Sequence, residues 1–236
     1  MSTTEVKFGE WINRGWTLYK ANWLPLLLAV VVMAVCVVVP MGVLVRPMMF
    51  HPILAMIVNV IIMALVAGPL MVGLAGVVLR LAGGPEHKLE PGTAIGAMFQ
   101  GYQQFKDASL LLLVVGGVSA LVRIVLGLVL PQFLVALLGF VVSLAVGAAF
   151  MFSAWLLAER KCDFGTALKE SWAVVKTNFW PFLGFHIVVG VLGMAGIVAC
   201  GVGIVATLPF YYCALASAYR EVFARSATTA ATPPAL

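Results

Sequence analysis

Charge is what this chain has least of. Asp, Glu, Lys and Arg make up 10% of its 236 residues, against about 25% in an ordinary soluble domain. With 63% hydrophobic residues and a mean hydropathy of +1.11, too few charges remain to cover a surface facing water. The outer face must therefore be solvated by lipid. Cysteine is sparse as well: Cys36, Cys200 and Cys213 lie in apolar stretches and Cys162 in a basic one. No CxxC pair or Cys/His spacing occurs, so neither a disulfide framework nor a zinc site is expected. The three histidines, His51, His87 and His186, are far apart in the chain. With no HExxH, no GxSxG and no acidic pair on one helix face, no enzyme, cofactor or metal site is predicted.

Six apolar runs remain once the charged segments are set aside: Trp23 to Val45, Ile53 to Leu79, Ser109 to Leu130, Phe133 to Ala158, Trp180 to Ala199 and Val202 to Tyr219. Each approaches the roughly 20 residues that cross a bilayer as a helix. The first is too long for a signal-peptide core and reads as a retained span. Arg46-Pro47 through His51-Pro52, Pro131-Gln132 and Gly201-Val202-Gly203 supply the turns of three hairpins. Of the 14 basic residues, 12 fall on the other side, before the first run, after the last, or between hairpins; only Arg46 and Arg123 do not. All nine acidic residues share those segments or their edges, so no carboxylate lies deep in a span. Basic residues are held on the cytoplasmic side, which predicts cytoplasmic N- and C-termini. The net charge of +5 thus reads as topology setting, with added attraction to anionic lipid headgroups. It forms no basic-aromatic groove, and no nucleic-acid partner is expected.

An offset of 156 aligns Phe8-Gly9 with Phe164-Gly165, Trp16 with Trp172, Lys20 with Lys176, Asn22 with Asn178 and Pro25 with Pro181. Around both copies apolar residues step by three or four, which predicts amphipathic helices. Trp11, Trp16 and Lys20, and Trp172 and Lys176, suit the membrane interface. A degenerate middle copy carries Ile95, Met98, Phe99, Tyr102 and Phe105, and Pro69 stands as far from Arg80 as Pro209 does from Arg220. The expected fold is all-α and polytopic, six transmembrane helices as three hairpins, each preceded by an interfacial amphipathic helix. It forms one domain over 1–225, with parallel repeats near 4–84, 91–161 and 163–225, and a disordered cytoplasmic tail over 226–236.

Phe-Gly, Trp and Lys-x-Asn-x-x-Pro before a hairpin, then Gly68-Pro69-Leu70, Pro209 and Ala218-Tyr219-Arg220, resemble the YciC-like bacterial membrane proteins. These are relatives of the membrane domain attached to some glycerophosphodiester phosphodiesterases. The resemblance implies a location in the bacterial inner membrane. It implies no phosphodiesterase activity, since no such domain is present here.

Polar residues inside a membrane are the default functional candidates, because burying them is costly. Here they are Arg123, His186 and Asn59, each with a bland reading beside the functional one. Arg123 either snorkels to the outer surface or lines a polar cavity, His186 either bonds a neighbouring helix or joins that cavity, and Asn59 makes an interhelical hydrogen bond. Gly139, Ser143 and Gly147, every four residues, predict close helix packing. The missing deep carboxylate weighs against proton- or sodium-coupled transport. A non-enzymatic membrane-organising, assembly or accessory component is expected, with lipids and another membrane protein as partners. The alternative is a channel or uncoupled transporter for a small solute or lipid. A lipid enzyme would need Glu159, Arg160 and Asp163 to converge on one pocket.

Overall fold

The computed structural model describes residues 6–45, 50–84, 88–198 and 203–231. Regular structure among them is entirely helical: α1 (Phe8–Ala21), α2 (Trp23–Leu44), α3 (Pro52–Ile62), α4 (Gly68–Leu81), α5 (Pro91–Phe99), α6 (Phe105–Gly127), α7 (Gln132–Ala149), α8 (Ser153–Arg160), α9 (Phe164–Val175), α10 (Phe179–Met194) and α11 (Ile204–Ala231). Five continuous helical stretches are long and apolar enough to cross a membrane: Trp23–Leu44, Ile53–Leu81, Pro91–Gly127, Gln132–Arg160 and Phe164–Ile197. The molecule has the make-up of a multipass membrane protein.

The expected sixth run begins at Val202, outside the described residues, and otherwise falls within α11. That helix is not among the five. Its apolar content is diluted by Thr207, Pro209, Tyr211, Tyr212, Tyr219 and Arg220. The dilution fits its place, because Tyr212, Cys213, Ala214, Leu215, Ala216, Ala218 and Tyr219 are buried and meet protein rather than lipid. The helix also continues to Ala231, into the segment expected to be a disordered tail; residues 232–236 lie outside the described residues.

Proline explains one of the helix irregularities. Pro69 has no N–H for the carbonyl four residues earlier and its ring crowds that carbonyl. The chain answers with a π-helical turn over Met63–Ala67 between α3 and α4, a local widening of the kind that re-seats the remaining bonds. Between α7 and α8 the helix breaks at Phe150–Phe152 without proline. Here Ser171 of α9 supplies the missing partners: its hydroxyl donates to the Ala149 carbonyl at 3.0 Å and accepts from the Phe152 N–H at 3.4 Å.

The core sits at one end of the bundle. Leu26, Leu70, Leu74, Val78, Phe152, Trp155, Leu156, Phe182, Phe185 and Tyr219 are almost fully buried there. The far halves of the long helices expose Val38, Val43, Ile53, Ile57, Leu121, Val125, Phe133 and Phe140. Three short helices gird the packed end: α1 lies on α11, α5 on α4 and α9 on α8. A Cβ on Gly15 would come within 2.6 Å of the Ala214 Cα. The Gly101 position presses likewise on the Pro69 carbonyl, and Gly73 on the Met98 carbonyl.

Candidate functional site

The residue types with any chemical reach divide between the packed end and the middle of α7. At the packed end they bond one another. Glu221 Oε2 accepts from Trp11 Nε1 and from Arg14 Nη1, both at 3.0 Å, which ties α1 to α11. Arg220 donates to the carbonyls of Leu79 and Ala82, closing the C-terminal end of α4, where orphan carbonyls and the helix dipole favour a cation. Arg80 donates to Gln100 at 2.9 Å.

Glu159, Arg160 and Asp163 do not share a pocket. Glu159 accepts from the Tyr219 hydroxyl, Arg160 pairs with Glu170, and Asp163 caps α9 by accepting from the Thr166 N–H at 3.0 Å. That bond and the Thr166 hydroxyl, which is the stronger influence, hold the Asp163 carboxyl below its ordinary range. Among the described residues no three His, Cys, Asp or Glu side chains gather to hold a metal ion.

The interfacial candidates part company. Trp16 and Trp172 are 46% and 44% exposed, with Lys20 Nζ 5.6 Å from the Trp16 ring centre. Lys176 is exposed in the 3-10 turn Lys176–Asn178. Trp11, expected beside them at the membrane interface, is instead fully buried. It sits edge-on to Phe185 at 5.0 Å and stacked near Phe182 at 6.2 Å. Helix α1 turns this face to α10 and α11, so its aromatic stripe serves protein on one side and is exposed on the other.

On α7 the small-residue stripe and two of the polar candidates meet. A Cβ on Gly139 would lie 2.8 Å from Arg123 Cγ, and one on Gly147 2.9 Å from His186 Nε2. The stripe predicted to let helices approach therefore seats two long polar side chains, one from α6 and one from α10. Arg123 Nη2 donates to Ser143 Oγ at 3.4 Å, and the Ser143 hydroxyl in turn donates to the Gly139 carbonyl at 2.8 Å. His186 faces the Tyr211 ring at 6.5 Å, and its buried Nδ1 has no hydrogen-bond partner among the described residues.

Asn59 stands apart, its Nδ2 3.8 Å from Met41 Sδ between α3 and α2. A cavity of about 620 Å³ opens beside Arg123, walled by Met56, Ile124, Gln132, Ala136 and Phe140 among others. A second, of about 460 Å³, is bounded by α7 and by Lys169 and Trp172 of α9. A third, of about 640 Å³, lies between α1 and α11 beside Trp16 and Phe210.

Sequence reasoning missed Ser171, Glu221 and Gly15. Only Gly15 and Ser171 left a trace, standing 156 residues apart at matching places in the two clear copies of the interfacial motif. Comparison with family models, curated proteins and solved structures finds no match to this chain.

Proposed function

We propose that the chain is a six-span membrane protein of three parallel hairpin repeats that acts without catalysis, as a membrane-organising, assembly or accessory component. The observation that carries this reading is a tightly packed core at one end of the bundle, with the cavities outside it. Leu70, Leu74, Phe152, Leu156 and Tyr219 close the middle of the packed end. The roomy spaces lie instead between α3, α6 and α7, between α7 and α9, and between α1 and α11.

The docking of the short helices supports the repeat. In each proposed copy a small residue, Gly15, Gly101 or Ser171, touches the returning helix of another copy. Each is followed by an exposed ring, Trp16, Tyr102 or Trp172, and four residues later by Lys20, Lys106 or Lys176. Aromatic rings with lysines suit a headgroup layer, and their charge fits anionic lipid on the cytoplasmic side. The bacterial inner membrane as the location rests on the family resemblance alone.

The rival, a channel or uncoupled transporter, draws on Arg123 and His186 sharing one stripe of α7. The described cavity at Arg123 does not reach His186, however.

Two measurements separate the readings. Purified chain in sealed vesicles is expected to leave the leak of small anions, cations and dyes at the level of empty vesicles. Native gels of mild-detergent membrane extracts are expected to show it in an assembly well above its 25.1 kDa. Solute flux through vesicles containing only this chain, with no larger assembly, would sink the accessory reading.

A further inference from the structure

Arg123 and Gly139 are each eight residues from Pro131, on either side of the turn joining α6 to α7. They lie level across that pair, as the close fit of the Arg123 stem on Gly139 requires. From there the side chain runs away from the turn, to Ser143. Ser143 is eleven residues into α7 from Gln132, about 16 Å along a helix rising 1.5 Å per residue. In a hydrocarbon layer of about 30 Å, the guanidinium is then held near the middle. This is the opposite of snorkelling.

A guanidinium stays charged and offers five N–H donors. Among the described residues, Arg123 has one hydrogen-bond partner, a serine at 3.4 Å, and its side chain remains exposed. The space beside it holds about 620 Å³, with apolar walls from Met56, Ile124, Val135 and Phe140 and one further polar side chain, Gln132, at the start of α7. Charged residues at this depth pair with one another or line water. This chain offers no such pairing: all nine of its acidic residues lie at or beyond the edges of the apolar runs. A second copy would bring the same deficit.

We infer that Arg123 is the docking point for a transmembrane helix of a partner protein carrying one Asp or Glu near its middle. The inference rests on the accessory reading above and names the partner's chemistry. A phospholipid offers its phosphate at the interface, about 15 Å too far out. A helix carries its backbone hydrogen bonds internally and brings a carboxylate to the required depth. Gly127 and Ala136 on the cavity wall let such a helix come close. The exposed Ile53 and Phe140 at the rim give its apolar side chains a surface.

The test uses the full chain in phosphatidylcholine vesicles and two fluorescent peptides. Each peptide is a leucine-alanine helix of about 20 residues, with Glu at its centre in one and Gln in the other. Energy transfer to the labelled chain reports binding. The Glu peptide is expected to bind about tenfold or more tightly than the Gln peptide, and Arg123→Gln to erase the difference. Arg123→Lys should keep part of it, since the charge stays and the fork is lost. Ala136→Trp, which fills the cavity and leaves Arg123 untouched, should weaken binding of both peptides, with the thermal unfolding midpoint of each variant checking its fold.

Equal binding of the two peptides, or a Glu preference that survives Arg123→Gln, overturns the proposal. Either result leaves the accessory reading to its own vesicle-leak and native-gel tests. Conversely, solute flux together with an Arg123-dependent Glu preference would sink that reading and keep the docking site.

Discussion

At the scale of single residues, the bond that decides most is made by Ser171. It is fully buried, and its hydroxyl serves both sides of the break between α7 and α8. Ser171→Ala strands the Phe152 N–H and the Ala149 carbonyl in a dry core, where an unsatisfied polar group costs about 1–3 kcal/mol. Thermal unfolding in detergent should show that loss. Ser217→Ala, whose hydroxyl only bonds back to the Cys213 carbonyl of its own helix, should change stability by no more than about 0.5 kcal/mol.

Asp163 gives a pH prediction of definite sign. Its carboxyl is held below the ordinary range by the Thr166 hydroxyl and N–H. The cap's contribution is therefore complete above the unfolded aspartate pKa and is lost as pH falls through the lowered folded value. Amide exchange at the start of α9, taken relative to the free-chain rate at each pH, should be unchanged from neutral pH down to about pH 5 and rise in stronger acid. Asp163→Asn, which keeps an acceptor, should flatten that rise.

Individual residues were legible in the sequence where chemistry alone marks them: Arg123, His186 and Asn59 stand out from apolar surroundings. Ser171 did not, because its partners lie 22 and 19 residues away and a serine at that point in an amphipathic helix suits an exposed face equally well. Trp11 was misplaced for a related reason. Helical spacing shows that a face is apolar and does not say whether lipid or protein covers it.

At the scale of elements, α1 depends on one missing side chain. A Cβ added at Gly15 would meet backbone atoms of Ala214 and Cys213 at 2.6 to 3.0 Å, and backbone cannot swing aside as a flexible side chain does. Gly15→Val should force α1 off α11, baring Trp11 and breaking the bonds of Trp11 and Arg14 to Glu221. Hydrogen exchange should then rise across Phe8–Ala21, with a fall in the unfolding midpoint. Gly9→Ala, in the same helix with nothing within 4 Å of the added atom, should leave both unchanged or slightly improved, since alanine favours a helix by about 1 kcal/mol over glycine. Loss of α1 in both variants, although both replacements favour a helix over glycine, would show that the contact at Gly15 is not what controls docking. The existence of α1 is plain in the sequence, but its landing place is not, because α11 lies about 200 residues further along the chain. The π-turn before Pro69 announces itself through the proline. The break at Phe150–Phe152 carries no such residue and is created by what packs on it.

For the whole molecule, the question is whether the three returning helices end on one side of the membrane. The C-terminal ends of α4 and α8 are both bonded to α11. Arg220 of α11 holds the terminal carbonyls of α4, and Tyr219 donates to Glu159 near the end of α8. A bundle in which α11 lay on the surface, or crossed in the opposite sense, would break these contacts. The proposed six-span arrangement, with an even number of crossings and both termini on one face, would keep them. Single cysteines placed in a chain freed of its native four test this with a membrane-impermeant maleimide applied to intact cells. His51→Cys and Gln132→Cys should react from outside. Lys88→Cys and Lys161→Cys should react only after permeabilisation, as should a cysteine at Lys20. Reaction of Lys88→Cys and Lys161→Cys from opposite sides would mean that α6 and α7 do not pair as a hairpin. Arg123 would then lose the level partnership with Gly139 that places its charge at mid-membrane, so the same labelling pattern bears on the depth of the proposed docking site.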